Sequence, residues 1–349
     1  MFLFKKKPKS FLGIDVGASA VKLVELGKEK GRFKLINYAI APLSDYLKKV
    51  GSQSDSELLN ADSGEIAEVI KEAIKEAKIT ARDAYFSIPA YSSFSTLIDF
   101  PDMPEKEIAA AVPLEARKHI PVPVSELVLD WNVMDLPGKQ SGRQAMVIAA
   151  PKKVIDTYTQ ISKLAGLVSR GMEEETFSLG RALVGNDKSV MVLVDVGARS
   201  INIGIVDGGY IRVVHDLEMG GVKVTQAIAQ QMNLDLEKAE NLKKEMSGEG
   251  EQLSRLKGVG YSTLGAIIVE IRKIIEAYQS KYSRRVEKCI LVGDGIRLVG
   301  FADYLTTKLS IDVSLGNPFA RVFYPPELAP ILKEIGPPLA VAVGLSMRG

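Results

Sequence analysis

The sequence predicts an α/β protein made by duplication of one strand-rich unit, with a small α+β module inserted in the first copy. Three observations carry this. The tetrapeptide Asp-Val-Gly-Ala occurs at residues 15–18 and again at 195–198, an offset of 180. Each copy joins two apolar, strand-like runs, FLGIDV to AVKLVEL and MVLVDV to INIGIV. A third such run follows each pair, at 32–39 and at 211–215, so both copies head a matched meander. The 46% hydrophobic content is that of a folded globular chain, and a net charge of +2 with mixed signs leaves no broad footprint for nucleic acid or acidic polymers.

The elements follow in order. In the first copy strands are expected at 11–16, 21–26 and 32–39. The polar stretch GSQSDSELLNADSG leads to a helix at about 65–78, where Ile66, Val69, Ile70, Ala73, Ile74 and Ala77 share one face. A short strand is expected at 84–89. Residues 91–166 read as the insertion. It has alternation at 95–100, a helix starting in PDMPEKE that Pro113 is expected to break or kink, and an extended IPVPVSE. Strands at 127–135 and 144–150, joined by PGKQSGR, and a helix at 152–165 complete it. A helix at about 174–184 precedes the second copy. After its three strands come helices at 222–232 and 236–245, the glycine-rich linker SGEG, and a long helix at about 262–281. In that helix Ile267, Ile268, Ile271, Ile274, Ile275 and Tyr278 mark one face. A strand at 289–292 runs into Gly293-Asp294-Gly295, and a last helix is expected at 339–347.

The chemistry lies where strands meet glycine turns. An acid at a strand end followed by a glycine turn sets backbone N–H groups beside a carboxylate. That pairing repels a bare phosphate and suits a phosphate shared with Mg²⁺, which keeps several waters and takes few protein ligands. Two such hairpins can hold a nucleoside triphosphate from both sides, with Lys22 adding a positive charge to the first. In LVGDGIRLVGFADYL the glycines leave room for a base or sugar. There is no P-loop, no G-x-G-x-x-G after the first strand, no metal-ligand spacing of Cys and His, and no G-x-S-x-G elbow. His119 and His215 are expected to be structural or exposed, and the single cysteine, Cys289, to be a small buried strand residue in a chain kept reduced. No apolar stretch approaches the ~18–20 residues of a membrane span. The opening MFLFKKKPKS puts its apolar residues before its lysines, the reverse of a secretion signal. It reads as a basic tail over 1–10, either frayed or in weak contact with an anionic membrane face.

IDVGASAVK, VDVGARS and LVGDGIRLVG, in this order, resemble the two phosphate motifs and the adenosine motif of the actin-like ATPases. Within that group the chain resembles the PilM family of type IV pilus machines nearly end to end. FLGIDVGASAVKLVEL, EARKHIPVPVSELVLDW, ETFSLGRALVG, LEKAENLKKE and LVGFADYLTTKLSIDVSLGNPF carry that likeness. The resemblance implies two duplicated ribonuclease-H-like domains with a relocated insertion, as in FtsA, but without FtsA's C-terminal membrane-targeting helix. The implied division is 11–90 with 167–187 and 336–349, the insertion 91–166, and a second domain 188–335 with a smaller subdomain at about 221–275.

The resemblance implies ATP or ADP with Mg²⁺ as cofactors. Asp15 and Asp195 would hold the metal through water, and Gly17, Ala18, Ser19, Lys22, Gly197, Ala198 and Arg199 would meet phosphates. Glu240, Lys243, Gly293, Asp294, Gly295 and Ile296 would meet the adenosine, and Glu175 would orient a water for at most slow hydrolysis. It also implies a cytoplasmic protein peripheral to the inner membrane, reached through a partner. That partner is PilN, whose N-terminal cytoplasmic segment would enter a groove by the insertion, alongside other platform proteins. Tyr91, Phe94, Leu97 and Ile98 are candidates to line that groove, against the reading that they are core. An FtsA-like filament protein and a small-molecule kinase on the same fold are the alternatives.

Overall fold

The computed structural model describes residues 10–43, 63–135, 142–244, 258–297 and 300–349. The tail up to residue 9, most of the polar stretch after the third strand, much of the PGKQSGR turn and the SGEG linker lie outside the described residues.

Strands β1 (Ser10–Val16), β2 (Ala20–Glu29) and β3 (Arg32–Pro42) form the first antiparallel meander. Helix α1 (Ser63–Glu76) crosses to β4 (Asp83–Ile88), which lies parallel to β1. The insertion follows as β5 (Phe94–Phe100), α2 (Glu105–Ala116), β6 (Leu127–Asp135) and β7 (Arg143–Pro151). Helix α3 (Lys152–Leu164) returns the chain to β8 (Val168–Glu174), parallel to β4. After α4 (Glu175–Leu183) the second meander is β9 (Met191–Val196), β10 (Ile201–Asp207) and β11 (Tyr210–Leu217). Then come α5 (Gly221–Met232), α6 (Leu236–Lys244), α7 (Gly265–Tyr282), β12 (Lys288–Val292), α8 (Phe301–Leu309), β13 (Asp312–Leu315) and β14 (Val322–Phe323). Helices α9 (Ala329–Ile335) and α10 (Ala340–Ser346) close the chain.

The sheets run β14-β3-β2-β1-β4-β8, β11-β10-β9-β12-β13 and β5-β7-β6. Without the edge strand β14, the first two have the same order and the same parallel and antiparallel pairings. The irregularities repeat too. The pairing register shifts after Glu25 of β2 and after Ile205 of β10, again an offset of 180, the extra residue being Ile36 of β3 and Arg212 of β11. Each copy joins its second and third strands by a two-residue turn with both φ positive, Lys30-Gly31 and Gly208-Gly209, the twist that suits a tight hairpin. A four-letter repeat is thus the visible part of a duplicated fold.

Helices α4 and α10 lie between the two large sheets. Leu179, Val341 and Leu345 pack on Leu193 and Val206 of the second sheet, and Ala182 and Val343 on Val24 and Leu26 of the first. Helices α1 and α3 cover the outer face of the first sheet. Helices α5, α7 and α8 cover that of the second, where Cys289 is buried and its thiol pushed up to about 12 by burial. His119 and His215 are both exposed.

Some expectations change. Pro113 does not break α2, which runs from Glu105 through Ala116. Its buried face, Ile108, Val112 and Ala116, is held on the insertion's sheet, and Pro113 points off that face, so packing offsets the lost backbone bond. The IPVPVSE segment, expected extended, contains a 3₁₀ turn at Val124–Glu126. Strands β8, β13 and β14 were not expected. Among the described residues no single helix is long and apolar enough to cross a membrane.

Candidate functional site

The carboxyl ends of β1 and β9 face one cleft. At each, a glycine closes the turn, Gly17 N donating to Ala20 O at 3.1 Å and Gly197 N to Ser200 O at 2.9 Å. Antiparallel register sets Lys22 opposite Asp15 and Asn202 opposite Asp195. Lys22 is buried, and its Nζ lies 2.7 Å from Asp294 Oδ2 and 3.7 Å from Asp15 Oδ2. Because Asp294 follows β12, this ion pair spans the cleft from the first meander to the second sheet. Ser87, at the end of β4, donates to Asp15 Oδ1 at 2.9 Å.

The glycines behave as the motif requires. Gly293 has φ +101°, and a Cβ there would stand 2.3 Å from Asp195 Oδ1 and 2.4 Å from Val196 O. Gly295 is equally tight, with Val196 Cγ1 at 2.5 Å. The Gly-Asp-Gly turn therefore lies directly on the second Asp-Val-Gly-Ala turn. Gly220 and Gly221, which sequence reasoning passed over, complete this wall. Gly221 N donates to Gly197 O at 2.9 Å and Val222 N to Ala198 O at 2.8 Å, tying the start of α5 to the turn.

Glu240 and Lys243 sit on α6 behind that wall. Lys243 Nζ pairs with Glu240 Oε2 at 2.6 Å and donates to Thr225 Oγ1 at 2.8 Å and Gly221 O at 3.1 Å. Thr225 Oγ1 donates to Glu240 Oε2 at 2.6 Å. Both expected adenosine contacts are thus buried and engaged with each other. Ala18, Ser19 and Arg199 are half-buried at the turns. Ile296 lies in the 3₁₀ turn Asp294–Arg297, but its side chain is outside the described residues.

Glu175 begins α4, 9% exposed, and its Oε2 accepts from Asn202 Nδ2 at 2.5 Å. Asn202 is a site residue that the motif reading missed. The offset of 180 was the available signal, since it makes Asn202 the counterpart of Lys22. Neighbouring Glu174 caps α4, its Oε1 accepting from Thr176 N at 3.0 Å and from Thr176 Oγ1 at 2.9 Å, while its buried Oε2 has no partner.

Burial and like charge govern the electrostatics. Burial raises Asp15 despite Lys22 and the Ser87 hydroxyl, and raises Asp195 to about 7 despite Lys22. Glu175 is held well above the ordinary carboxylate range by burial, then by Asp15, Asp195 and Glu174. Burial opposes the charge on Lys22, but Asp294, Asp15 and Asp195 outweigh it and raise its pKa. The cleft thus holds one firmly charged amine among carboxyl groups that ionise reluctantly, a setting that an added cation would relieve.

A second feature is a groove of about 640 Å³ between the insertion and the first sheet. Strands β6 and β8, each at the edge of its own sheet, form its sides. Val128, Asp130, Ile148, Arg170, Met172 and Phe177 are among its lining. The residues Phe94, Leu97 and Ile98 do not line it. They belong to β5, at the opposite edge of the insertion's sheet, where Phe94 and Ile98 face α2 and Leu97 faces the layer with Met134 and Met146. Tyr91 also lies outside this lining.

Among solved structures, the chain matches a PilM–PilN type IV pilus biogenesis complex at TM-score 0.83 and 29% identity, covering 97% of each chain. It matches the ethanolamine utilization protein EutJ of Carboxydothermus hydrogenoformans at TM-score 0.61 and 16% identity, covering 99% of this chain and 91% of that one. MreB5 of Spiroplasma citri bound to ADP matches at TM-score 0.54 and 12% identity, covering 97% and 95%. The last two likenesses concern the fold, which is actin-like, as the duplicated sheets and shared helical layer indicate. The model of the family described as type IV pilus assembly protein PilM matches residues 13–349, and the chain belongs to that family.

Proposed function

We propose that the chain is a nucleotide-binding adaptor of the type IV pilus inner-membrane platform, with ATP or ADP and Mg²⁺ in the cleft. The observation that carries this is the Lys22–Asp294 pair, which brings both halves to one site ringed by Asp15, Asp195 and Glu175. The donor set suits a hydrated Mg²⁺. It offers carboxylates from opposite walls, and no three ligating side chains converge among the described residues. When bound, the ion would neutralise phosphate charge beside Asp15 and Asp195. Lys22 would turn from Asp294 to a phosphate, with the glycine turns at Gly17 to Ser19 and Gly197 to Arg199 presenting backbone. Glu240 and Lys243 would hold the start of α5 against the adenosine side, formed by Gly293 to Ile296. Glu175, oriented by Asn202, is placed to position a water.

The three separate sheets support a division into 11–90 with 167–187 and 336–349, an insertion 91–166 and a second domain 188–335, with two crossings: β14 pairs with β3 of the first sheet, and α3 packs on that sheet. The N-terminal segment of PilN is the natural occupant of the groove, since an extended peptide can pair with either edge strand. A smaller hollow shares Asn132, Phe177 and Arg181 with the groove and reaches Tyr210 and Ile211 of β11. Rotation between halves would therefore reshape the groove's end, which links nucleotide and peptide affinities reciprocally. Such a partner would hold the protein at the cytoplasmic face of the inner membrane. The test is calorimetry of Mg·ATP with Asp15→Ala, together with PilN-peptide binding with and without ATP. Undiminished ATP affinity in the variant refutes the site, and peptide affinity indifferent to ATP refutes the linkage.

A further inference from the structure

The insertion branches from the first copy, but its side chains reach for the second. Its sheet, β5-β7-β6, turns one face to α2 and the other, with Leu97, Met134, Met146 and Ile148, to the apolar layer that holds Leu193, Val206 and Ile211 of the second half. Among the described residues, no side-chain hydrogen bond or ion pair of β5, β6 or β7 ends on the first sheet. Those that leave the insertion end on β11 and α7. Toward the first sheet lies the groove of about 640 Å³ instead.

The junction centres on Gln144 of β7, which is fully buried. Its Oε1 accepts from Arg212 Nη1 of β11 at 2.8 Å, and its Nε2 donates to Asp99 Oδ1 at 2.6 Å and to Tyr282 Oη of α7 at 2.9 Å. The partners fix the amide's orientation, because a guanidinium only donates and a carboxylate only accepts. Asp99 stands opposite Gln144 in the β5–β7 ladder, with Lys281 Nζ of α7 3.7 Å from its Oδ2. Arg212 is the extra residue where the register of β11 shifts, and such a residue leaves the strand's alternation and is re-aimed. It is 5% exposed, its Nε has no partner among the described residues, and burial lowers its pKa. Asp207 spends its Oδ2 on Tyr278 and Arg284, so the Gln144 side-chain carbonyl is the one acceptor that this guanidinium has among the described residues.

We propose that this junction latches the insertion's sheet to the second half, so that the sheet travels with the second half and the groove widens or narrows as the halves turn. Separating the two would strand a buried guanidinium without its acceptor and a buried amide without its donor, which costs far more than breaking an exposed pair. On the first-half side the chain enters the sheet through the 3₁₀ turn Ala90–Ser92 and leaves it at Pro151, short connections at which such a motion would hinge. The latch rests on the adaptor reading only for what drives the turn. The fastening itself needs neither nucleotide nor partner.

The experiment places spin labels in pairs on the full chain and reads distance distributions by pulsed electron paramagnetic resonance, without nucleotide. Leu114 of α2, which packs on the insertion's sheet, serves the insertion, Val269 of α7 the second half and Lys71 of α1 the first, all three exposed. Cys289 is buried and stays unlabelled. Leu114–Val269 should give a narrow distribution and Leu114–Lys71 a broader one. Arg212→Met removes the buried charge together with its bond, so it should melt no lower than the parent, yet its Leu114–Val269 distribution should broaden to match the other. Gln144→Leu should broaden it too, with a lower melting temperature, since it leaves Arg212 in place without an acceptor. A parent whose Leu114–Val269 distribution is as broad as the other, or an Arg212→Met chain in which it stays narrow, would overturn the latch. With Mg·ATP added, the Leu114–Lys71 distance should shift while Leu114–Val269 stays, and a shift of Leu114–Val269 alone would also overturn the latch. A shift in neither pair counts against the nucleotide linkage proposed above, while the widths measured without nucleotide still decide the latch.

Discussion

The two copies of the hairpin share a backbone and differ in what they hold. Asp15 has a buried lysine opposite and a serine hydroxyl beside it, while Asp195 has an asparagine opposite and Gly293 packed against its carboxylate. Lys22 spends its charge across the cleft on Asp294, and Asn202 spends its amide on Glu175. Duplication supplied two equivalent places, and one substitution made the first a charge-pairing position and the second an orienting one. Equal motifs therefore do not imply equal roles.

The largest test of this asymmetry is structural. Gly13 and Leu193 occupy the same place at the offset of 180. A Cβ on Gly13 would stand 2.0 Å from Ala342 O and 2.7 Å from Ser346 N, both backbone of α10. Gly13→Ala should cost more than about 4 kcal/mol or prevent folding, and Gly13→Leu should prevent it. In urea unfolding, Leu193→Ala should cost only about 2–5 kcal/mol, as an ordinary cavity.

Next are the ends of the fifth strands, a buried carboxyl at Glu174 in β8 and an exposed Leu315 in β13. Burial raises Glu174 to about 7, opposed by its bonds from Thr176. A raised carboxyl favours the folded state below its unfolded pKa of about 4.3, and that contribution is lost as pH climbs from there through 7. Glu174→Gln keeps the Thr176 bonds without a buried charge. It should raise stability at pH 8 by on the order of 3 kcal/mol and flatten the fall in stability between pH 5 and 8, followed by thermal melts. An unchanged slope would show that Glu174 is not the group responsible.

At the cleft, Lys22→Asn makes the first hairpin imitate the second. It should weaken Mg·ATP binding by roughly ten- to a hundredfold, the worth of a charged hydrogen bond. The smallest effect on affinity is expected for Asn202→Ala. Calorimetry should find ATP binding nearly unchanged, while any hydrolysis of bound ATP slows about tenfold or more as Glu175 loses its orientation. If the two substitutions weaken ATP equally, the halves are not specialised as described.

What was legible in the sequence is what glycine and apolar runs can announce. The two turns, the Gly-Asp-Gly turn and the helices with one apolar face all stand where expected. Strand β8 was missed because it reads Val-Ser-Arg-Gly-Met-Glu-Glu, an edge strand facing a groove, with no buried alternation. β13 and β14 are four and two residues long, too short for periodicity. Asn202 is one polar residue inside a buried strand, and only register reveals its target. Phe94, Leu97 and Ile98 of β5 were candidates either for a partner groove or for core; they pack inward, on α2 and on the layer with Met134 and Met146, and aromatic content alone does not tell the two apart.

The glycine contact with α10 carries a consequence for how the protein is made. Strand β1 leaves the ribosome more than three hundred residues before the helix that covers its inner face, which spans residues 340–346. The half that is synthesised first must wait with that inner face uncovered until the helix follows. The second sheet meets the same helix at a shorter distance along the chain, Leu193 and Val206 packing with Val341 and Leu345, while each half covers its outer face with helices of its own. Contacts so distant along the chain slow folding, so the later-made half is placed to consolidate first and to serve as the template on which the earlier one closes.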